Sequence, residues 1–359
     1  MSVYLDHAAT TPIFDVAVKA MTDALTKVGN PSSLHTEGRS TRKDVEDARD
    51  LIAKAVGCLA SEVIFTGSGT EADNAAIKGL FWKSGKKLIA ISAIEHHAVL
   101  DPARWLVEHE GAELIEIPVN KSGELDLDYL KDLVAKRGSE IALISVMHSN
   151  NETGVIQPIA DVVKIAGSIP VHTDAVQSFT KTPLSYKELG VTSMALSAHK
   201  VGGPHGIGAL ILRRAYEIPA LLHGGGQERD VRSGTLDAPA IVAFATALEI
   251  TSARKTQTVA TVSALRDDLV RRVKEIAPDA IYNGSITDRL ANNAHFVFPG
   301  CLGDSLLMLL DAQGVECSVG SACSAGVPQP SHVLLAMGAD EDAARSTLRF
   351  SLGSTTTQS

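Results

Sequence analysis

Short runs of consecutive apolar residues alternate with longer helical patterns through the first two thirds of the chain. The runs Glu62–Phe65, Lys87–Ile91, Ile141–Val146, Val171–Asp174 and Ala209–Leu212 read as strands, and Met194–Leu196 reads as the end of another. Helical periodicity fills the gaps over residues 39–56, 71–83, 98–110, 126–136 and 158–166. Strands that are apolar throughout, rather than at alternate positions, are buried on both faces, and helices between them supply the crossovers that parallel pairing needs. The pattern predicts an α/β unit with a parallel sheet covered by helices. A long helical stretch follows, from Ala238 to Ile250 and again from Val259 to Ile276. It leads into a smaller α/β unit with strands at Ala294–Phe298 and Thr347–Ser351. No internal repeat or low-complexity linker interrupts the chain, and the polar tail Ser354–Ser359 reads as a frayed end.

Composition narrows the class. The 359 residues suffice for two domains and a large core, which is mainly aliphatic because only 4% of residues are aromatic. A net charge of −9 disfavours a nucleic-acid partner, which would call for a basic face. No uninterrupted apolar run reaches about 18 residues, so no membrane span is expected. The start, Met1 to Asp6, lacks the basic-then-apolar layout of a secretory signal, and a cytoplasmic location is expected. Cys58, Cys301, Cys317 and Cys323 form no C-x-x-C pair, so free thiols are expected rather than a zinc or dithiol motif.

Candidate chemistry concentrates at the ends of the apolar runs. Ser197-Ala198-His199-Lys200-Val201-Gly202-Gly203-Pro204 places a lysine just past a buried strand. Desolvation lowers a lysine's proton affinity and leaves an amine able to attack a carbonyl, as a lysine holding an aldehyde cofactor such as pyridoxal phosphate must. An ordinary surface lysine is the plainer reading. Phe65-Thr66-Gly67-Ser68-Gly69-Thr70-Glu71 runs from a strand through glycines into a helix, which makes either a phosphate cup or a plain turn capped by Thr70. Asp174 ends a strand, where it can face a protonated ring nitrogen or cap a helix. His96, in Glu95-His96-His97, can stack on a ring and move protons, or simply be structural. Asn150-Asn151-Glu152-Thr153-Gly154 offers an amide donor or plain turn chemistry. Gly320-Ser321-Ala322-Cys323-Ser324-Ala325-Gly326 surrounds one thiol with small residues, as a travelling nucleophile requires.

In this order the motifs resemble the pyridoxal-phosphate-dependent cysteine desulfurases of the class V aminotransferase group. The resemblance runs from Tyr4-Leu5-Asp6-His7-Ala8-Ala9-Thr10-Thr11-Pro12, through Gly29-Asn30-Pro31-Ser32-Ser33-Leu34-His35, to Arg349-Phe350-Ser351-Leu352-Gly353. It implies the fold type I architecture: a large domain with a mainly parallel seven-stranded sheet over residues 13–245, and a small α/β domain from residues 1–12 and 246–359. The small domain is expected to carry the cysteine loop, around residues 318–330, and Arg349. By motif, Lys200 matches the cofactor-linking lysine, and Ser197, His199, Gly69 and Thr70 match the phosphate contacts. His96 matches the ring-stacking acid–base, Asn151 the residue near ring hydroxyl and substrate, and Asp174 and Gln177 the partners of ring nitrogen and ring hydroxyl. Thr235, in Arg232-Ser233-Gly234-Thr235, matches a threonine that reaches the phosphate of the other subunit, which implies a homodimer.

Arg349 matches the substrate-carboxylate clamp and Cys323 the sulfur acceptor. The resemblance implies conversion of L-cysteine to L-alanine, with a persulfide on Cys323 handed to an acceptor such as an iron–sulfur scaffold. The cysteine segment is similar to the mobile-loop subgroup that serves iron–sulfur cluster assembly. No metal is expected in the cofactor site, although Cys323 could ligate a transferred cluster. The alternatives are a selenocysteine lyase or cysteine-sulfinate desulfinase, which would share the site, and a non-enzymatic interaction protein of the same fold. Members of this family continue for some tens of residues past the Arg349 strand, whereas this sequence stops almost at once.

Overall fold

The computed structural model describes residues 2–320 and 329–358. The chain opens with a short strand β1 (Val3–Tyr4), then helices α1 (Asp15–Leu25) and α2 (Thr36–Val56). Strands and helices then alternate: β2 (Val63–Thr66), α3 (Gly69–Ser84), β3 (Leu88–Ser92), α4 (His97–Glu110), β4 (Glu113–Ile117), α5 (Leu127–Arg137), β5 (Ile141–Ser145), α6 (Ile159–Ala166) and β6 (Val171–Asp174). The short α7 (Tyr186–Leu189) precedes β7 (Ser193–Ser197) and β8 (Gly208–Leu212). The long α8 (Ala238–Ile276) leads to β9 (Ile281–Tyr282), β10 (Asn293–Val297), α9 (Gly303–Ala312) and β11 (Val315–Glu316). Short helices α10 (His332–Ala336) and α11 (Glu341–Arg345) precede β12 (Thr347–Ser351).

Seven strands form one sheet in the order β2-β8-β7-β6-β5-β3-β4. Neighbours pair in parallel except β8, which runs antiparallel to both β2 and β7. The mainly parallel expectation therefore holds, with one reversed strand. Alternate residues feed two aliphatic layers. Phe65, Ala90, Ile144, Val171 and Met194 pack toward α2, α6 and the start of α8, while Ile64, Ile91, Leu143 and Ala195 pack under α3 and α4. Burial on both faces is the physical reason these strands read as unbroken apolar runs. The edge strand β4 escaped the sequence reading because its glutamates, Glu113 and Glu116, break the run. Charged residues on an edge also keep it from pairing with other chains.

A three-stranded antiparallel sheet, β12-β10-β9, and the parallel pair β1–β11 enclose a separate core around Phe296, Leu348 and Phe350. The two helical stretches expected over 238–250 and 259–276 are one helix. Residues 251–258 are polar, but they contain neither glycine nor proline past the first turn, so nothing stops propagation. The boundary expected between residues 245 and 246 lies inside this helix, which contributes Phe244 and Leu248 to the large core and Val262 to the small one.

The opposite edge, β2, is closed by side chains. The Phe65 amide donates to Glu228 (2.8 Å), and Arg49 of α2 donates to the Val63 carbonyl (2.8 Å). The two side chains join in a bidentate buried pair at 2.7 and 2.8 Å. Removing one partner of such a pair strands the other charge in a dry site. We expect Arg49→Ala to destabilise the fold by about 3–5 kcal/mol, read from denaturant unfolding. The paired replacement Arg49→Met with Glu228→Leu should recover much of that loss; a single variant as stable as the parent would exclude this role.

Candidate active site

Five parallel strands point their carboxyl ends at one open cavity, and nearly every residue singled out from the sequence lies on or beside the turns that follow them. That is where open α/β sheets bind ligands.

After β2 the chain turns through Gly67 and Ser68 into α3. Ser68, not Thr70, is the N-cap: its Oγ accepts from the Glu71 amide at 3.0 Å. Thr70 sits in the first helical turn, and it lines the cavity beside the exposed helix-start amides. Gly69 is needed for closeness, because a Cβ there would come within 2.8 Å of Val176 Cγ2 and 3.3 Å of Ser197 Cβ. The cup is thereby pressed against the turns that follow β6 and β7.

After β3, His96 caps α4. Its Nδ1 accepts from the Ala98 amide at 3.1 Å, which leaves the proton of the neutral ring on Nε2. Burial, reinforced by the charge of Lys200, pushes its pKa down to about 4. After β5, Asn150 builds the turn by accepting from the Glu152 and Thr153 amides, at 2.9 Å each, and so presents Asn151 to the cavity.

Asp174 ends β6. Burial raises it to about 6, against the Val176 amide (2.8 Å) and the charge of Lys200, which both favour the carboxylate. It caps no helix. Gln177 donates to the Ala8 carbonyl at 2.8 Å. After β7, Ser197 leads into a single 3₁₀ turn, Ala198–Lys200, that carries His199 and Lys200. His199 Nδ1 lies 3.3 Å from Thr10 Oγ1, and burial and Lys200 push it down to about 4. Lys200 is half-buried, and its Nζ donates to the carbonyls of Ala8 and Ala9, both at 2.7 Å.

Arg349 reaches the same cavity from β12. It is 3% exposed, with Nη2 at 2.8 Å from Asp6 and Nη1 at 3.0 Å from the Asn151 carbonyl. Its Nε has no partner among the described residues. Lys200, Arg349 and the nearby Lys181 crowd positive charge here. Burial first, then Lys200 and Arg349, lower Lys181 to about 7. Such a site favours an anionic ligand.

The cavity thus gathers Gly69, Thr70, His96, Asn151, Asp174, Gln177, Ser197, His199, Lys200 and Arg349. It does not gather Thr235, which is exposed and outside the lining, although Arg232 ties its segment to Glu71 of the cup helix at 2.9 Å. Cys323 lies outside the described residues; Gly320, just before that segment, lines the cavity. Sequence reasoning missed the Ala8 and Ala9 carbonyls and the Asp6 partner of Arg349. The only signal for them was the position of these residues in the amino-terminal motif. It also missed the buried acids Asp73 and Glu95, which no local pattern marks: Asp73 stands between Ala72 and Asn74, and Glu95 precedes two histidines.

These residues fit pyridoxal phosphate. Helix-start amides that could hold a phosphate, a carboxylate that could pair with a ring nitrogen, a neutral histidine and a lysine amine all line the one cavity. Comparison with known proteins agrees. A family profile described as aminotransferase class-V matches residues 3–359. An IscS-like cysteine desulfurase of Mycobacterium tuberculosis is 49% identical, covering 99% of this chain and 92% of its own length. A cysteine desulfurase IscS of Dictyoglomus turgidum is 43% identical, over 99% and 91%. Among solved structures, a NifS-like protein superposes with a TM-score of 0.92 at 35% identity, over 100% of this chain and 95% of that one. A NifS-like protein from Rickettsia africae gives 0.90 at 32%, over 100% and 96%.

The same burial predicts how stability follows pH. His7, His96, His148 and His199 are pushed down to about 4, and His172 and His295 to about 3. The unfolded chain takes up those protons at the ordinary histidine value, so stability is lost as pH falls through about 6.5 toward 4. Three buried acids oppose this: Asp73, Glu95 and Asp174 are raised, and they bind protons in the folded state first. Six groups outnumber three, so the urea midpoint should fall steadily between about pH 7 and 4.5. A flat or rising midpoint would contradict the assignment of neutral buried histidines.

Proposed function

The chain belongs to the class-V aminotransferase family, and we propose from that premise how it works as a cysteine desulfurase that converts L-cysteine to L-alanine and takes the sulfur onto Cys323. The observation that carries the residue roles is the meeting of Lys200, Asp174, His96 and the Gly69–Thr70 cup in one cavity, with Arg349 entering from the second sheet.

The cup amides and Thr70, with Ser197 and His199, would hold the phosphate of the cofactor. The Asp174 carboxylate would hold a proton on the ring nitrogen, and Gln177 and Asn151 would serve the ring hydroxyl. His96, neutral and with its proton on Nε2, would pack against the ring. Pyridoxal phosphate, when bound, supplies the electron sink that makes the substrate α-proton removable. Arg349 receives the α-carboxylate of L-cysteine through its guanidinium fork, displacing or sharing the Asp6 contact. The Lys200 amine would take the substrate α-proton, and the Ala8 and Ala9 carbonyls already position it. The Cys323 thiolate attacks the substrate sulfur. The carbon–sulfur bond breaks, its electron pair stays with the carbon skeleton that leaves as alanine, and the sulfur remains on Cys323 as a persulfide.

We further infer a homodimer, in which exposed Thr235 serves the cavity of the partner, and a protein acceptor such as an iron–sulfur scaffold. The small domain is assigned to residues 1–12 and 246–359, and the large one to 13–245. No helix among the described residues is long and apolar enough to cross a membrane.

Cys323→Ala should lower sulfide release from L-cysteine by about 100-fold or more while leaving cofactor absorbance unchanged. Selenide release from selenocysteine should survive; full activity on L-cysteine in this variant would favour a lyase that needs no thiol. Borohydride should fix the cofactor to Lys200, and Lys200→Ala should lose that label. Arg349→Lys keeps the charge but not the fork, and it should raise KM for L-cysteine by about tenfold or more.

A further inference from the structure

The cavity is also lined by a second buried acid, Asp73, that the proposed reaction does not use. His172 and Asp174 are two apart on β6, so both project from the same face of the sheet, toward α3. There Asp73, one turn beyond Thr70, meets His172: Nε2 lies 3.0 Å from Asp73 Oδ1. The other ring nitrogen, Nδ1, lies 2.9 Å from Ser193 Oγ on β7. Asp73 is 1% exposed, and His172 and Ser193 are fully enclosed. Glu95 adds a third buried carboxyl; its Oε1 accepts from the Met147 amide at 2.6 Å, and its Oε2 has no partner among the described residues.

Three carboxylates in one dry layer would repel one another and forgo water. Asp174 has compensation from Lys200 and the Val176 amide. No cation offsets Asp73, which burial, Asp174 and Glu95 together push well above the usual carboxylate range. An ion pair with His172 would place two charges in a fully enclosed site, where burial disfavours the charged ring as well as the carboxylate. Two proton arrangements then satisfy the chain of atoms. In one, Ser193 donates to Nδ1 and Nε2–H donates to an ionised Asp73, so the pair is negative. In the other, protonated Asp73 donates to Nε2 and Nδ1–H donates to Ser193 Oγ, so the pair is neutral. Only the second avoids an uncompensated charge beside Asp174.

We propose that Asp73 is protonated and donates to His172, whose Nδ1–H is held by Ser193, and that this neutral pair is a positioning element which leaves Asp174 the one ionised group beneath the cofactor ring. The role of the pair rests on the reading of the cavity as the pyridoxal phosphate site; its protonation does not.

Nitrogen-15 NMR of histidine-labelled, cofactor-free protein near neutral pH reads the proton directly, with His172 assigned by the signal that His172→Gln removes. The expected result is a protonated Nδ1 and a bare, hydrogen-bonded Nε2; a protonated Nε2 with a bare Nδ1 overturns the proposal. In cofactor-loaded protein, Asp73→Asn supplies a neutral amide that donates to Nε2 as the acid does. Pyridoxal phosphate affinity and absorption maximum should stay within about twofold of the parent and within its band, whereas Asp174→Asn should lose affinity by about tenfold or more, the equivalent of at least one pKa unit of charge interaction. A folded Asp73→Asn protein that loses as much as Asp174→Asn overturns the proposal, and if that variant does not fold the NMR result alone decides. A parent protein that binds no pyridoxal phosphate would refute the reading of the cavity while leaving the proton measurement valid.

Discussion

The amino-terminal strap fixes the geometry on which everything else depends. Residues 3–14 leave the small core, cross the cavity wall and end against the large domain. Leu5 donates to the Glu316 carbonyl, His7 to Ser351, Thr11 to His199 and Phe14 to Gly202. Between these anchors the carbonyls of Ala8 and Ala9 hold the Lys200 amine, and Ala8 also receives Gln177. Asp6 of the same strap orients Arg349. A dozen residues therefore set the Lys200 amine and the Arg349 guanidinium in one frame, although the first follows the large sheet and the second belongs to the small one.

Around that frame the charges are arranged by burial rather than by count. The chain as a whole is acidic, yet Lys200 and Arg349 meet at the cavity with Lys181 close enough to feel both charges, and the histidines beside them are neutral. A phosphate and a carboxylate meet fixed donors there and need not first displace a competing anion of the protein, apart from Asp6. Asp73, which lines the cavity, and Glu95 are both buried, and burial disfavours their charged forms beside Asp174.

The sheet and much of the site were legible in the sequence for one reason: most candidates of the large sheet lie at, or within a few residues past, the end of a buried strand. Lys200, Asp174 and Asn151 could be found by reading past the end of such a run. Contacts made across the fold had no such local mark. Nothing around Ala8 announces that its carbonyl will meet a lysine 192 residues away. Thr70 looked like the helix cap because threonine caps well, but Ser68 takes that place once Gly69 presses the turn against Ser197. The apparent gap in the long helix was polarity without a breaker, which marks an exposed face rather than an end.

That unbroken helix, α8, also has a consequence for how the sequence can change. It is a strut about 58 Å long at 1.5 Å per residue, packed on the large core at one end and on the small core at the other. One residue inserted at its polar middle would turn the far half by about 100° and shift it along the axis. Val262, Leu265 and Leu269 would leave the small core together, and Arg349 would lose its register with the strap. Substitution along the exposed face is mechanically free, whereas a change of length there is not: the helix works as a spacer whose residue count is part of the active site.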